Sequence, residues 1–163
     1  IEVADAKADA NYYIFFPKYS NERELKLVLI GGGQIDIPQS VKDDVIDLGF
    51  VDIQDKYDAY AAASLLCQPS KNESFSFVIM ESWLCHRPVL VHNECDVTRH
   101  FVKDSNGGLY FGNYFEFQET VNFILQNTEA AKAMAENGCR YVKEHFAWDV
   151  IVKKYTEFFK MFD

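Results

Sequence analysis

Hydrophobic positions along the chain fall into short apolar runs separated by longer amphipathic stretches. The apolar runs predict buried strands at residues 25–30, 45–48, 65–68, 89–91 and 109–111. The amphipathic stretches predict helices at residues 38–44, 55–63, 96–102, 114–126, 129–144 and 148–162, and one that opens at Glu73 and ends at Arg87-Pro88. This alternation predicts an α/β fold with a doubly wound parallel sheet, helices on both faces and ligands at the carboxyl ends of the strands.

The start of the chain follows a weaker pattern. Residues 1–10 are compatible with a short strand and then a polar, alanine-rich loop, and the periodicity of residues 11–16 leaves helix and strand both open. The chain begins with Ile1 instead of methionine. We therefore expect it to be a fragment of a longer protein.

Two glutamates mark the most informative helix. Glu73 and Glu81 lie eight residues apart, which in a continuous helix separates them by about 12 Å along the axis and about 80° around it. Both carboxylates can then border one groove, and the N–H groups of Ser74, Phe75 and Ser76 between them offer an anion site at the helix N-terminus. A ligand with a diphosphate in the middle and a hydroxylated ring at each end fits this pattern.

The segment Glu73-Ser-Phe-Ser-Phe-Val-Ile-Met-Glu81, followed by Ser-Trp and then Pro-Val-Leu-Val, resembles the E-x7-E motif of retaining, nucleotide-sugar-dependent glycosyltransferases of the GT-B fold. It is most similar to the GT4 family, the glycosyl transferases group 1. The resemblance runs from about Leu25 to the C-terminus and covers only the donor-binding domain. It implies that residues 1–163 form one Rossmann-like domain that binds a nucleoside-diphosphate sugar for retaining transfer of a hexose to an acceptor hydroxyl.

The resemblance also assigns roles. It implies that Glu73 contacts hydroxyls of the donor hexose as a catalytic residue and that Glu81 binds the ribose diol. Ser74, Phe75 and Ser76 would bind the donor, the last two by presenting backbone N–H groups to the diphosphate. A serine-nucleophile alternative has little support, because Ser74 and Ser76 have no histidine at a plausible spacing and are more simply capping hydroxyls.

Two glycine turns are the further donor-binding candidates. Gly31-Gly32-Gly33 follows a predicted strand, which leaves an NAD-binding fingerprint open, although Asp36 replaces its third glycine and Pro38 delays the helix. The resemblance instead implies that this loop, with Gly33, lies near the nucleotide. It likewise implies that Gly49-Phe50-Val51 binds the base, with main-chain groups reading its edge and an apolar surface covering its face; an ordinary strand exit is the alternative.

The first loop departs from the family pattern. That loop normally reads G-R-x4-K and supplies two cations to the departing phosphate, whereas residues 1–11 contain no arginine and only Lys7. Lys7 is therefore the one candidate for a catalytic cation in this loop. A non-catalytic, degenerate nucleotide-sugar-binding or scaffolding module is the alternative, because removing such donors typically costs a few kcal/mol of transition-state stabilisation.

Metals and other cofactors are not expected. The sequence contains no D-x-D motif, and its four histidines form no ligand cluster. Asp96 and His100, spaced i and i+4, could hold a metal, but the spacing is more typical of a solvated helix face. The resemblance agrees, since GT-B enzymes usually hold the diphosphate with protein cations.

Composition restricts the partners and the compartment. The 163 residues carry a net charge of −9, which argues against nucleic acid as a partner. We expect neither a membrane span nor a signal peptide, and four cysteines without C-x-x-C spacing predict reduced thiols. The resemblance implies a UDP- or GDP-linked hexose and a glycan or lipid-linked acceptor bound by an absent N-terminal domain. We expect a cytoplasmic protein, or one at the inner face of the membrane through its full-length form.

The last predicted helix, at about residues 148–162, has two interpretations. The family resemblance implies that it crosses to the absent N-terminal domain. Its amphipathic pattern alone is equally compatible with a helix that closes the surface of this domain.

Overall fold

The computed structural model describes residues 13–17, 25–33 and 35–162, the first of these ranges by its backbone only. The strands are β1 Tyr13–Pro17, β2 Leu27–Ile30, β3 Val45–Asp47, β4 Ala63–Gln68, β5 Val89–His92 and β6 Gly108–Phe111. The helices are α1 Ile53–Ala62, α2 Phe77–Leu84, α3 Asp96–Ser105, α4 Tyr114–Gln126, α5 Thr128–Phe146 and α6 Trp148–Phe159, with a 3₁₀ helix at Gln39–Asp44. These elements confirm the predicted alternation, and the ambiguous segment at residues 11–16 contributes a strand.

One sheet joins the six strands in the order β3-β2-β1-β4-β5-β6. The pairs β2–β3, β4–β5 and β5–β6 are parallel, whereas β1 runs antiparallel to both β2 and β4. The predicted α/β fold class is confirmed, and β1 is the strand that departs from the predicted parallel arrangement. Nine residues separate Pro17 from Leu27, and a parallel crossover needs about a dozen or more.

Side chains from alternate positions of the central strands enter two hydrophobic clusters, one on each face of the sheet. Leu66, Val89 and Val91 pack with residues of α1, α2, α3 and α5. Leu65, Cys67 and Leu90 pack against α4 on the opposite face. Because successive side chains of a strand point to opposite faces, β4 and β5 are buried on both sides, and their central runs Leu65–Cys67 and Val89–Val91 are continuously apolar.

Trp83 fixes the position of α2 against α5. Its indole Nε1 donates a hydrogen bond to the backbone oxygen of Gly107 at 2.8 Å, and the ring is fully buried. A Cβ atom at Gly138 would lie only 2.2 Å from the Trp83 ring, so this close approach of α5 requires glycine. The helix that carries Glu81 is thus anchored by tight packing on the side away from solvent.

The start of α2 differs from the prediction. The helix begins at Phe77 and not at Glu73, and Ser76 precedes it with φ 73° and ψ 76°. A residue in this left-handed conformation interrupts the right-handed helix, so the turn before it cannot be helical. Glu73 therefore lies in the loop before the helix, and the separation calculated for a continuous helix does not apply to Glu73 and Glu81.

The four cysteines are free thiols, as predicted: Cys67, Cys95 and Cys139 are buried and Cys85 is partly buried. Burial raises the pKa of Cys67 to about 12, so this thiol stays protonated at neutral pH. Within the described part of the chain, no helix is both long and apolar enough to cross a bilayer. The strand and loop expected for residues 1–10 lie outside the described residues.

Candidate functional site

The loops with the predicted site residues share one edge of the sheet. β2 and β4 are both antiparallel to β1 and so run in the same direction as each other and as β3 and β5. The carboxyl ends of these four strands therefore meet at the same edge. Gly31–Gly33, Phe50, Glu73 and His92 all follow or end strands there. In open α/β sheets this edge is where ligands bind.

Glu73 is held by the last residue of β4. Gln68 Nε2 donates to Glu73 Oε1 at 2.7 Å, and Gln68 Oε1 accepts a short hydrogen bond from the Ser76 hydroxyl. Gln68 is only 8% exposed, so both ends of a buried amide are used. The three side chains bind the end of β4 to the start of α2 and fix the direction of the Glu73 carboxylate.

The backbone between Glu73 and α2 forms a loop, which corrects the predicted anion site. Ser74 and Phe75 lie before the helix, and the first turn of α2 begins at Phe77. Phe75 packs its ring edge against Phe101 and Phe146, with centroids 5.4 and 5.3 Å away. The N–H groups that helix geometry leaves free at this terminus are therefore those of the turn after Ser76, and Ser74 to Ser76 act as the loop leading into it.

Glu81 is held by α1. Lys56 Nζ lies 2.8 Å from Glu81 Oε1, and the Tyr60 hydroxyl donates to Glu81 Oε2 at 3.2 Å. The side chains of Lys56 and Glu81 are 22% and 21% exposed, and Tyr60 is fully buried. Asp52 caps α1 by accepting the N–H of Asp55 at 2.9 Å, and Lys56 and Tyr60, four residues apart in this helix, share one face.

The two glycine turns contact each other. Gly31 donates its N–H to the Gly49 oxygen at 2.9 Å, and Gly32 lies so close to the Phe50 ring that a Cβ there would be 2.5 Å from it. Gly31, Gly33 and Gly49 all have positive φ, which favours glycine. The Phe50 ring is 88% exposed, whereas Val51 packs against the core. An open aromatic face thus stands beside the glycine loop.

His92 ends β5 at the same edge. Its Nδ1 accepts the N–H of Glu94 at 3.1 Å, and its ring packs edge-on against Phe111. Burial lowers the pKa of His92, and the charge of Lys71 lowers it further, against a smaller opposing effect of Glu94. Lys71 and Glu94 themselves form an exposed ion pair of 3.1 Å that connects two loops of this edge.

Metal ligands do not assemble among the described residues, which contain no group of three or more His, Cys, Asp or Glu able to hold an ion. Asp96 and His100, considered above as metal ligands, each pair with a different residue instead. His100 pairs with Asp104 at 3.1 Å and Asp96 with Arg99 at 2.5 Å. The catalytic candidate Lys7 lies outside the described residues.

Three residues of this site were missed by sequence reasoning. Gln68 had a usable signal, because it is the one polar residue at the end of an apolar run that precedes Pro69-Ser70. Lys56 and Tyr60 are spaced i and i+4 on a predicted helix, which suggests a shared face but not the identity of the partner on α2.

Known proteins provide an independent comparison. The family model described as glycosyl transferases group 1 matches residues 16–141. A D-inositol 3-phosphate glycosyltransferase of Saccharomonospora viridis is 33% identical over 81 residues, which cover 42% of this chain and 19% of that protein. An uncharacterized glycosyltransferase of Methanocaldococcus jannaschii is 26% identical over 153 residues, which cover 89% of this chain and 39% of that protein. The chain thus spans well under half the length of both curated relatives.

A solved structure shows the same fold. HepE of Anabaena, in complex with UDP, superposes with a TM-score of 0.65 at 21% identity, over 82% of this chain and 40% of that chain. This likeness confirms the Rossmann-like α/β architecture of the GT-B glycosyltransferases. Because the family model covers well over half of its residues, the chain belongs to the glycosyl transferases group 1 family.

Proposed function

We propose that this chain is the donor-binding part of a retaining glycosyltransferase that transfers a hexose from a nucleoside-diphosphate sugar to an acceptor hydroxyl. The observation that carries the proposal is the pair Glu73, in the loop before α2, and Glu81, within α2, each held by its own partners. A carboxylate accepts hydrogen bonds from two hydroxyls at once, so each glutamate suits one hydroxylated ring.

The nucleotide end of the site consists of Glu81 and the two glycine turns. Glu81 accepts the two hydroxyls of the ribose. The base lies on the exposed ring of Phe50, and main-chain groups around Gly33 and Val51 line its edge. The support is the contact of Gly32 with the Phe50 ring, which holds an otherwise open aromatic face in place beside the loop.

The diphosphate lies at the N-terminus of α2. The loop of Ser74, Phe75 and Ser76 leads the chain to this terminus, where free N–H groups and the helix dipole favour an anion. Lys7 supplies a cation to the departing phosphate. That role rests on the sequence resemblance alone.

The hexose end consists of Glu73 and its partner Gln68. Glu73 accepts hydroxyls of the hexose and keeps the anomeric carbon in position as the bond to the phosphate breaks. Catalysis by this half is orientation and electrostatic stabilisation, without a metal or other cofactor. The support for metal independence is the absence of D-x-D from the sequence.

The acceptor, a glycan or a lipid-linked molecule, binds to a domain outside this chain. The support is that the chain matches only part of each relative, 39% of the length of the Methanocaldococcus jannaschii protein. We propose that α6 packs on that domain, because none of its residues is buried and its apolar side chains face solvent. They include Trp148, Val152, Tyr155, Phe158 and Phe159.

UDP is the first nucleotide to test and GDP the second. HepE, whose fold this chain shares, was solved in complex with UDP. By itself the chain is expected to bind the donor and to transfer nothing, because the acceptor side is absent.

A second candidate function is a non-catalytic nucleotide-sugar-binding module. One observation favours it: the family model begins at residue 16 and so does not include the first loop, where Lys7 stands without an arginine. Donor hydrolysis or transfer by the full-length protein, lost in a Lys7→Ala variant, would exclude this candidate. Binding without turnover in the full-length protein would favour it.

Calorimetric titration with UDP, GDP and ADP tests the proposed donor site. The wild-type chain should bind one nucleotide in the micromolar to millimolar range, unchanged by EDTA. Glu81→Gln should weaken binding about tenfold or more, since hydrogen bonds to a charged group contribute about 1.5–3 kcal/mol. Glu129→Gln, which removes the same charge from an exposed pair with Lys132, should have no effect. Failure of all three nucleotides to bind, or equal affinity of both variants, would contradict the proposal.

A further inference from the structure

The carboxylate of Glu81 is held at both oxygens by one face of α1. Lys56 and Tyr60 stand one helical turn apart on that face, and each reaches a different oxygen, at 2.8 and 3.2 Å. A carboxylate offers about four acceptor positions in total. Two of them, one on each oxygen, are therefore occupied by α1, and the remaining two can receive a pair of neighbouring hydroxyls.

Lys56 is itself held in place. Its ammonium lies 5.4 Å from the centre of the Tyr57 ring, and its side chain is only about a fifth exposed. Tyr60 is completely enclosed. Partly buried ion pairs contribute little net stability, because the loss of hydration opposes the attraction. Stability alone is thus a weak reason for a lysine at this position.

The partners of the two glutamates differ in charge. Glu73 is held by the neutral amide of Gln68, whereas Glu81 is held by a cation. A nucleoside diphosphate carries negative charge next to its ribose, so an unpaired carboxylate at Glu81 would repel the ligand that it has to bind. A lysine beside Glu81 removes this conflict at the nucleotide end.

We propose that Lys56 and Tyr60 are positioning residues for the nucleotide: they orient the Glu81 carboxylate toward the ribose diol, and Lys56 offsets its charge beside the diphosphate. This inference rests on the proposed function, because it assumes that Glu81 binds ribose. Lys56 acts through Glu81 and does not itself contact the phosphate.

A double-mutant cycle on nucleotide binding tests the inference. The variants are Lys56→Met, Tyr60→Phe and Glu81→Gln, alone and combined, titrated with whichever of UDP, GDP and ADP binds the wild-type chain. Lys56→Met should weaken binding about tenfold, and Tyr60→Phe about threefold, as expected for lost hydrogen bonds to a charged group. Lys56→Arg should restore most of the affinity. Lys132→Met, which breaks an exposed pair of 2.9 Å, is the matched control and should bind like the wild type.

The coupling between variants separates positioning from direct contact. In the Glu81→Gln background, Lys56→Met should have less than a twofold effect, because its action passes through Glu81. An undiminished effect there would show direct contact with the ligand and overturn the inference, as would wild-type affinity of Lys56→Met. Failure of the wild-type chain to bind any nucleotide would instead overturn the proposed function, and this inference with it. If Lys56→Met does not fold, the same cycle is measured with Tyr60→Phe and Glu81→Gln.

Discussion

Gln68 joins the end of β4 to Glu73. Its amide donates to Glu73 and accepts from Ser76, and it is buried at the end of β4. A buried amide with both ends used has one stable orientation, so it sets the direction in which Glu73 points. The direction of the Glu73 carboxylate, to which we assign the hexose, thus depends on a buried neighbour.

Gln68→Met should separate sugar binding from nucleotide binding. Methionine has a similar volume but offers Glu73 no donor and Ser76 no acceptor. Affinity for the nucleotide sugar should fall about tenfold, while affinity for the nucleotide stays within about twofold of the wild-type value. The free energy of unfolding should fall by about 1–3 kcal/mol. Calorimetry and urea denaturation measure these changes. Gln126→Met on the surface of α4 is the control. Equal losses for both ligands would show that Gln68 does not act through Glu73.

His92 should make stability depend on pH. Burial holds the pKa of His92 below its ordinary value of 6.5, so near and below that pH the unfolded chain binds more protons than the folded one. The contribution of neutral His92 to the free energy of unfolding is fully present above pH 6.5. It is lost as the pH falls from 6.5 toward the lower pKa that His92 has in the folded chain. His92→Asn keeps an acceptor for the Glu94 N–H but cannot titrate. Its urea midpoint should fall less than that of the wild type between pH 7.5 and 5.5, and equal pH slopes would contradict the assignment.

The sequence singles out Glu73 and Glu81 as candidates, but it does not indicate the residues that hold them. Glu73 and Glu81 stand in a motif with fixed local spacing, which a single sequence displays. Lys56 lies twenty-five residues before Glu81. Pairing between α1 and α2 depends on how both helices pack on the sheet, and this is not encoded in any local spacing.

Among the helices, α2 begins with a strained backbone residue whose side chain makes a compensating hydrogen bond. Ser76 adopts φ 73°, a conformation that costs a residue other than glycine about 1–2 kcal/mol. Its hydroxyl offsets this cost through the hydrogen bond to Gln68. The bond fixes the point at which the chain turns from the Glu73 loop into the helix.

Two substitutions at Ser76 separate these effects. Ser76→Ala keeps the strain and loses the hydrogen bond, so it should lower the free energy of unfolding by about 1–2 kcal/mol. Ser76→Gly loses the same bond but releases the strain, and should be more stable than Ser76→Ala by about 1 kcal/mol. Urea denaturation compares the two variants directly. Equal stability of alanine and glycine would show that the conformation of Ser76 carries no strain.

Sequence reasoning placed most elements correctly but missed the start of α2 and the direction of β1. The loop before Phe77 contains no glycine or proline after Glu73, so nothing local interrupts the helical pattern. The left-handed Ser76 is instead stabilised by its hydrogen bond to Gln68, a tertiary contact that local sequence does not display. The direction of β1 had a signal, since the nine residues before β2 are too few for a helical crossover.

In the whole molecule, α6 contacts α5 but has no buried residue of its own. It packs along α5, but every apolar residue of its outer face remains exposed. A helix that closed the surface of this domain would bury that face. The apolar face is therefore available to the acceptor domain that we propose.

Substitutions on α6 should leave the stability of this domain unchanged. Phe158→Ser combined with Phe159→Ser removes two aromatic rings that are 53% and 61% exposed, so the free energy of unfolding should change by less than about 0.5 kcal/mol. Phe111→Ser, in the buried core, is the positive control and should cost about 3 kcal/mol or more. A loss on α6 comparable with the control would favour the alternative that α6 closes this domain.

We propose that two carboxylates bind the two ends of one ligand, Glu81 the nucleotide and Glu73 the hexose. The most direct measurement compares the affinity of wild type, Glu73→Gln and Glu81→Gln for a nucleoside diphosphate and for the same nucleotide carrying a hexose. Glu73→Gln should lose only the increment in affinity that the hexose provides, and Glu81→Gln should weaken both ligands by the same factor. Equal losses of affinity in the two variants, or a hexose increment that survives in Glu73→Gln, would contradict this assignment of the two glutamates.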